Sequence, residues 1–285
     1  MMTRGIYELS LDGGKTWNLQ HNLLLDAYFN TVPAGSITCL IGSSNTPPTG
    51  SDTSITTPLI STSVVREALQ KEVLAESTIL RDTYVFAFGT GNTLSAKELG
   101  VQFTTTLASR ALIKSVSGTP ITIEIDPLDD VQVRYTLEYE FSLQPVPIQI
   151  TLNGVIYNGT LTVANPFAWT SPSLGVIVSG IRVATCPLDN FTVVNGLFVG
   201  NSVAATEVGT GSLSQVISSP SRGVSTVYTS DLTTHMAPFG QLVLMTDSSF
   251  TASSVLAVIS LGATVAKTED EVLNLSFLFS QEPEL

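Results

Sequence analysis

The chain has 285 residues, 43% of them hydrophobic and 13% charged, with a formal net charge of −12. So much apolar sequence excludes a disordered polymer, and an acidic balance with no run of Lys or Arg excludes a nucleic-acid backbone as the expected partner. The length predicts two domains, and the sparse charge predicts that a partner covers part of the surface.

The start, Met1-Met-Thr-Arg-Gly-Ile-Tyr-Glu-Leu-Ser10, carries charge early and has no apolar h-region, so no secretory signal is expected. No run approaches the ~18 apolar residues of a membrane-spanning helix. Asp12-Gly13-Gly14 reads as a turn between Tyr7–Leu11 and Lys15–Trp17. The apolar strands Leu23–Leu25 and Cys39–Gly42 follow, and then a long Pro/Gly/Ser/Thr segment ends on two spaced hydrophobics, Ile55 and Leu59. A polar loop of this length is either packed structure, held here by Ile55 and Leu59, or an arm embracing a neighbouring subunit.

Ser63–Ser77 places Val65, Leu69 and Val73 at helical spacing, and its Ala, Leu and Glu favour a helix. Its position before the strand Thr83–Phe88 equally permits a long strand. Gly89-Thr-Gly-Asn-Thr-Leu-Ser-Ala-Lys97 lacks the Gly-Lys-Ser/Thr of a phosphate loop and reads as a strand connection. Asp126, Asp129 and Asp130 could hold calcium, but without the spacing of a calcium loop they read as a charged turn. From Asp129 to Phe141 apolar and polar residues alternate strictly, so Val133, Tyr135, Leu137 and Tyr139 are expected to face a core.

Pro145 and Pro147 interrupt the pattern and mark a boundary, giving domains 1–145 and 146–285. Asn153-Gly154 signals a hairpin. The second half repeats landmarks of the first. Gly42 falls on Gly200 at a spacing of 158, which also sets Ile55 on Leu213 and Leu59 on Ile217. Trp17 and Trp169 each precede an apolar strand, and Glu269-Asp-Glu271 opens a terminal strand with Leu273, Leu275, Phe277 and Phe279 on one face. Such periodicity is sought first because it decides the fold. The expected architecture is all-β: two tandem, internally duplicated β-sandwiches of jelly-roll or Ig-like type.

Residues that carry chemistry are scarce. His21 and His235 have no companion at metal-ligand spacing, and no Gly-x-Ser-x-Gly elbow is present. Cys39 and Cys186 read as free, buried thiols of a chain that folds in a reducing cytoplasm. The sequons at Asn158 and Asn190 have no meaning without secretion. No catalytic, cofactor-binding or metal-binding residue is therefore expected, and the chain reads as a non-enzymatic building block.

Several elements of the first half, over roughly residues 17–141, resemble a group of bacteriophage virion proteins labelled tail, tail-fibre or minor structural proteins. The likeness rests on Gly42 with its Thr/Pro/Ser loop, Glu98-Leu99-Gly100, Ser109-Arg110-Ala111-Leu112-Ile113 and the strand from Tyr135 to Tyr139. The second half departs from it, with no Glu-Leu-Gly and with Ser254 where the first half has Arg110. The resemblance implies an oligomeric virion component, assembled in the host cytoplasm, whose partners are copies of itself and other virion proteins. Alternatives in the same setting are a receptor- or glycan-binding fibre head, with a host surface receptor as partner, and a capsid decoration protein. A polysaccharide depolymerase would need the short periodic repeats of a β-helix, which are lacking.

Overall fold

The computed structural model describes residues 2–30, 35–89, 91–152, 155–163, 182–194, 197–200, 206–210, 212–217, 222–230, 236–245, 255–268, 270 and 273–283. Apart from one five-residue helix, their regular structure is all β-strand. The chain divides into two units. One is chiefly Met2–Lys71 with Leu80–Tyr139, the other chiefly Glu140–Glu282 with Glu72–Ile79.

The first unit contains β1 (Met2–Ser10), β2 (Asn18–His21), β3 (Leu23–Leu24), α1 (Asp26–Asn30), β4 (Ile37–Gly42), β5 (Pro58–Val73), β6 (Ser77–Phe88), β7 (Leu94–Ala96), β8 (Glu98–Phe103), β9 (Thr106–Leu112), β10 (Ile123–Ile125) and β11 (Val131–Ser142). Its main sheet runs β1-β11-β6-β5-β4-β8-β9-β3, and β2 pairs with β1. The sheet curls until β1 and β2 meet β9. Tyr7 donates its hydroxyl to the Ser109 carbonyl at 3.3 Å. Gln20 exchanges two hydrogen bonds with the backbone of Lys114, at 3.1 and 2.7 Å.

Alternation explains which side chains go inside. On β11, Val133, Tyr135, Leu137 and Tyr139 are all buried, as their period of two predicts. Tyr7, Cys39, Phe86 and Val101 on other strands are buried as well, and the Tyr7 and Tyr135 ring centres lie 4.7 Å apart. The buried hydroxyls of Tyr28 and Tyr139 satisfy each other at 2.7 Å. The turn at Asp12-Gly13-Gly14 is also present. Both glycines have positive φ (71° and 84°), and the Asp12 carboxylate accepts from the Lys15 and Thr16 amides at 3.0 and 2.9 Å.

The long polar loop after Gly42 lies across the outer face of β4, β8 and β9. In register, Leu40 opposes Gly100, Gly42 opposes Glu98, and Gly100 opposes Arg110, so these side chains share that face. Ile55 is buried against it in a cluster with Leu25 and Leu107. Gly42 and Gly100 leave the room: a Cβ on either would come within 2.6 or 2.8 Å of Ile55. Arg110 fixes the loop. Its guanidinium donates to Glu98 at 2.7 Å, to Asp52 at 2.6 Å and to the Thr46 carbonyl at 3.0 Å. Burial pushes the Asp52 carboxyl up, but hydrogen bonds from Thr49 and Arg110 outweigh it and hold the group below the usual range. Leu59, expected to help anchor the loop, is exposed on β5; Ile55 alone of the two is buried.

Residues 63–77 are not a helix. β5 continues through Val73, and Leu74 donates to the Ser77 carbonyl at 2.8 Å to turn the chain into β6. Asp126, Asp129 and Asp130 form a turn into β11, with the Asp126 amide on the Asp129 carboxylate at 2.8 Å.

The second unit contains β12 (Val146–Leu152), β13 (Val155–Val163), β14 (Arg182–Cys186), β15 (Phe191–Val194), β16 (Leu197–Gly200), β17 (Thr206–Thr210), β18 (Ser212–Ile217), β19 (Arg222–Ser230), β20 (Met236–Met245), β21 (Val255–Lys267) and β22 (Leu273–Pro283). One sheet runs β12-β13-β21-β20-β14-β17, β15 pairs with β16, and β18, β19 and β22 pair in that order. Leu152 opposes Val155, the register of the hairpin expected there; Asn153 and Gly154 themselves lie outside the described residues. Buried Gln241 ties β15 to the sheet, accepting from the Phe191 amide at 2.8 Å and donating to its carbonyl at 3.0 Å. Ala184, Phe191, Phe198, Val243 and Val258 belong to one buried apolar cluster of this unit. Gly200 ends β16, whose partner is β15, whereas Gly42 ends β4 between β5 and β8. Trp169, and the side chains of Leu213, Ile217, Leu273, Leu275, Phe277 and Phe279, lie outside the described residues.

Candidate functional site

On the outer face of β1, β11, β6 and β5, polar side chains occupy the positions that alternate with the core. Arg4 and Glu8 come from β1, Arg134, Thr136 and Glu138 from β11, Arg81 and Thr83 from β6, Arg66 and Gln70 from β5. An open groove of about 460 Å³ runs there, lined by Glu8, Arg66, Gln70, Arg81, Thr83 and Arg134 among others. Three guanidiniums thus line one depression of a chain with net charge −12.

Most of these charges are held by their neighbours. Arg134 grips Glu8 through Nε and Nη2 at 2.5 and 2.6 Å, the two-pronged geometry that suits guanidinium and carboxylate. The same guanidinium lies 4.4 Å from the centre of the Trp17 ring. Hydrogen bonding to Glu8 pushes the Arg134 pKa above its ordinary value. Glu138 sits between Arg4 and Arg81, with Arg81 Nε at 2.6 Å. The Thr83 and Thr136 hydroxyls meet at 3.1 Å. Arg66 stands apart: it is exposed and has no carboxylate partner among the described residues. Chemically the groove can receive a carboxylate, sulfate or phosphate, with Arg66 as its uncompensated donor.

The residues singled out from the sequence do not converge on this groove. Cys39 is buried in the first unit, and burial pushes its thiol well above the ordinary range. Cys186 is buried in the second, its thiol pushed up to about 11 by burial. Neither is poised as a thiolate nucleophile. The backbone of His21 ends β2, its side chain and all of His235 lie outside the described residues, and Asp126–Asp130 is a turn. Among the described residues no three His, Cys, Asp or Glu side chains gather as a metal site. Sequence reading missed the arginine face because its members are scattered singly over four strands, and only sheet pairing assembles them. Set against protein-family models, curated proteins and solved structures, the chain finds no match in any of the three.

Proposed function

We propose that the chain is a non-enzymatic structural protein of a bacteriophage virion, a tail, baseplate or fibre-adaptor component that assembles symmetrically and joins tail parts. The observation that carries the structural role is the β5–β6 hairpin, which presents apolar side chains to solvent: Val65 is 63% exposed, Leu69 49%, Val73 43% and Leu74 43%. In a chain with 13% charged residues, such a row is surface awaiting a protein partner. The placement in a phage tail rests on the resemblance of the Gly42 loop, Glu98–Gly100 and Ser109–Ile113 elements, which the fold gives a shared purpose as the loop clamp. That the two halves are diverged copies of one sandwich belongs to the same proposal and rests on the 158-residue spacing. The different partners of β4 and β16 weigh against a close copy.

Separating purified virions into heads and tails and locating the protein by mass spectrometry tests the reading, with the tail fraction expected. Recovery with heads would favour capsid decoration, and absence from virions would refute the proposal. A second reading, a receptor- or glycan-binding head, is favoured by one observation: the arginine groove, whose Arg134 stacks on Trp17, could hold an acidic sugar. Adsorption of the purified protein to host cells, lost on removing acidic surface glycans, would support that reading over the first.

A further inference from the structure

The far half of β5 is an edge. β4 pairs with β5 only from Pro58 to Ser63, and among the described residues no strand lies on that side of Val64–Val73. Counting back from the Leu74–Ser77 hydrogen bond, alternation turns the N–H and C=O of the odd residues, Val65, Glu67 and Leu69 among them, away from β6 and toward this open side. A strand edge that turns backbone groups outward is a template for another strand.

We infer that this edge pairs antiparallel with the same edge of a second copy, about a two-fold axis through Leu69. The residues from Val65 to Val73 read Val-Arg-Glu-Ala-Leu-Gln-Lys-Glu-Val, and reversing that order exchanges the signs of the charges. Centred on Leu69, Arg66 faces Glu72 of the second copy, Glu67 faces Lys71, Ala68 faces Gln70, Val65 faces Val73, and Leu69 faces itself. Arg66 and Glu72 thus meet their opposites, Glu67 lies across from Lys71, whose ammonium is buried within its own chain, and every large aliphatic residue meets another.

Neighbouring registers fail this test. Moving the centre to Ala68 or Gln70 removes every opposite-charge pair, and a parallel arrangement sets Arg66 on Arg66. Charges on an edge strand ordinarily serve to repel other strands; here they select one register of one partner. The pairing also gives Arg66 the carboxylate it lacks within the chain, and it covers Val65, Leu69 and Val73, the exposed aliphatic row. The contact is isologous, the commonest way for identical subunits to close. It takes from the proposed function only that the chain assembles with its own copies.

The test uses the full chain, followed by sedimentation velocity over a range of about 1–100 μM, where a contact near the small end of specific interfaces is expected to associate. The parent should dimerise. Glu72→Arg, which sets arginine against arginine twice across the axis, should weaken the dimer tenfold or more, and Arg66→Glu/Glu72→Arg should restore it. Leu69→Cys should form a disulfide-linked dimer under mild oxidation, because hydrogen-bonded antiparallel partners lie ~5.5 Å apart at Cα, within disulfide reach. Cys39 and Cys186 are buried and stay out of this reaction, and fully exposed Val116→Cys reports random collision. These substitutions fall at exposed positions, and an unchanged far-ultraviolet spectrum confirms that each variant folds.

A parent that stays monomeric, or Leu69→Cys cross-linking no faster than Val116→Cys, overturns the inference. A dimer indifferent to Glu72→Arg overturns it too, while leaving a structural role in place. A dimer that obeys the charge exchange, from a protein absent from virions, upholds the pairing and removes the phage assignment.

Discussion

Replacing Arg110 by Met would test whether the loop clamp is a main source of stability in the first unit. Arg110 is 1% exposed and Glu98 is fully buried, so the substitution leaves a carboxylate inside without its guanidinium. It also frees Asp52 and the Thr46 carbonyl, which hold the loop to β9. Removing one partner of a buried ion pair costs about 3–5 kcal/mol, because the remaining charge loses both water and its counter-ion. For a domain of 150–250 residues each kcal/mol lowers the melting temperature by about 2–4 °C, so Arg110→Met should melt about 6–20 °C below the parent. Replacing both members by apolar groups of similar volume removes the stranded charge. Arg110→Met/Glu98→Met should therefore recover much of the loss, giving a coupling of about 2 kcal/mol or more in a double-mutant cycle. Differential scanning calorimetry reads the melting temperature, and limited proteolysis within residues 43–57 reads whether the loop has lifted. If Arg110→Met melts within a degree or two of the parent and its loop resists cleavage, the clamp does not carry this load.

Two other substitutions have expected outcomes. Gly100→Ala would drive a methyl to 2.8 Å from Ile55 Cδ1 and 3.0 Å from Leu107 Cδ1, and overpacking of this kind costs about 1–3 kcal/mol; adding Ile55→Val should return part of that in urea titrations. Burial raises the Asp82 carboxyl from 3.8 to about 6, with the Tyr84 hydroxyl bond opposing. The folded state therefore binds more protons than the unfolded one between those pH values. Its stability contribution is fully present below about pH 4 and lost as pH rises through about 6. Asp82→Asn should flatten that slope and raise stability at pH 7, and chemical denaturation at pH 4, 5, 6 and 7 checks it.

Strand identity in the first unit was legible wherever alternation was strict. Val133, Tyr135, Leu137 and Tyr139 declare their face because polar residues separate them without exception. Residues 63–77 were ambiguous for a geometric reason. Val65, Leu69 and Val73 recur every four residues, and four is close to one helical turn and also two strand repeats, so periodicity alone cannot decide. The pairing with β6, a tertiary event, settled it against local propensity. Leu59 misled because one spaced hydrophobic after a loop does not say which face of the next strand it takes. The clamp had a readable trace, a lone arginine within the apolar run Leu107–Ile113, but its partners stand 12 and 58 residues away. The arginine groove left no such trace, since no two of its arginines are neighbours in sequence.

The layer formed by β4, β8 and β9 is roofed by a loop that contributes no strand to the ladder beneath it, so the two are expected to open separately. Native-state amide exchange would resolve this as two tiers. The Ser43 and Ser44 amides, bonded to the Thr57 carbonyl and the Glu98 carboxylate, would exchange when the roof alone detaches. Leu99 and Val101, locked between β4 and β9, would wait for unfolding of the whole unit. A separation between those two free energies would measure the roof's own hold on the protein, and it should shrink in any variant that loosens Arg110.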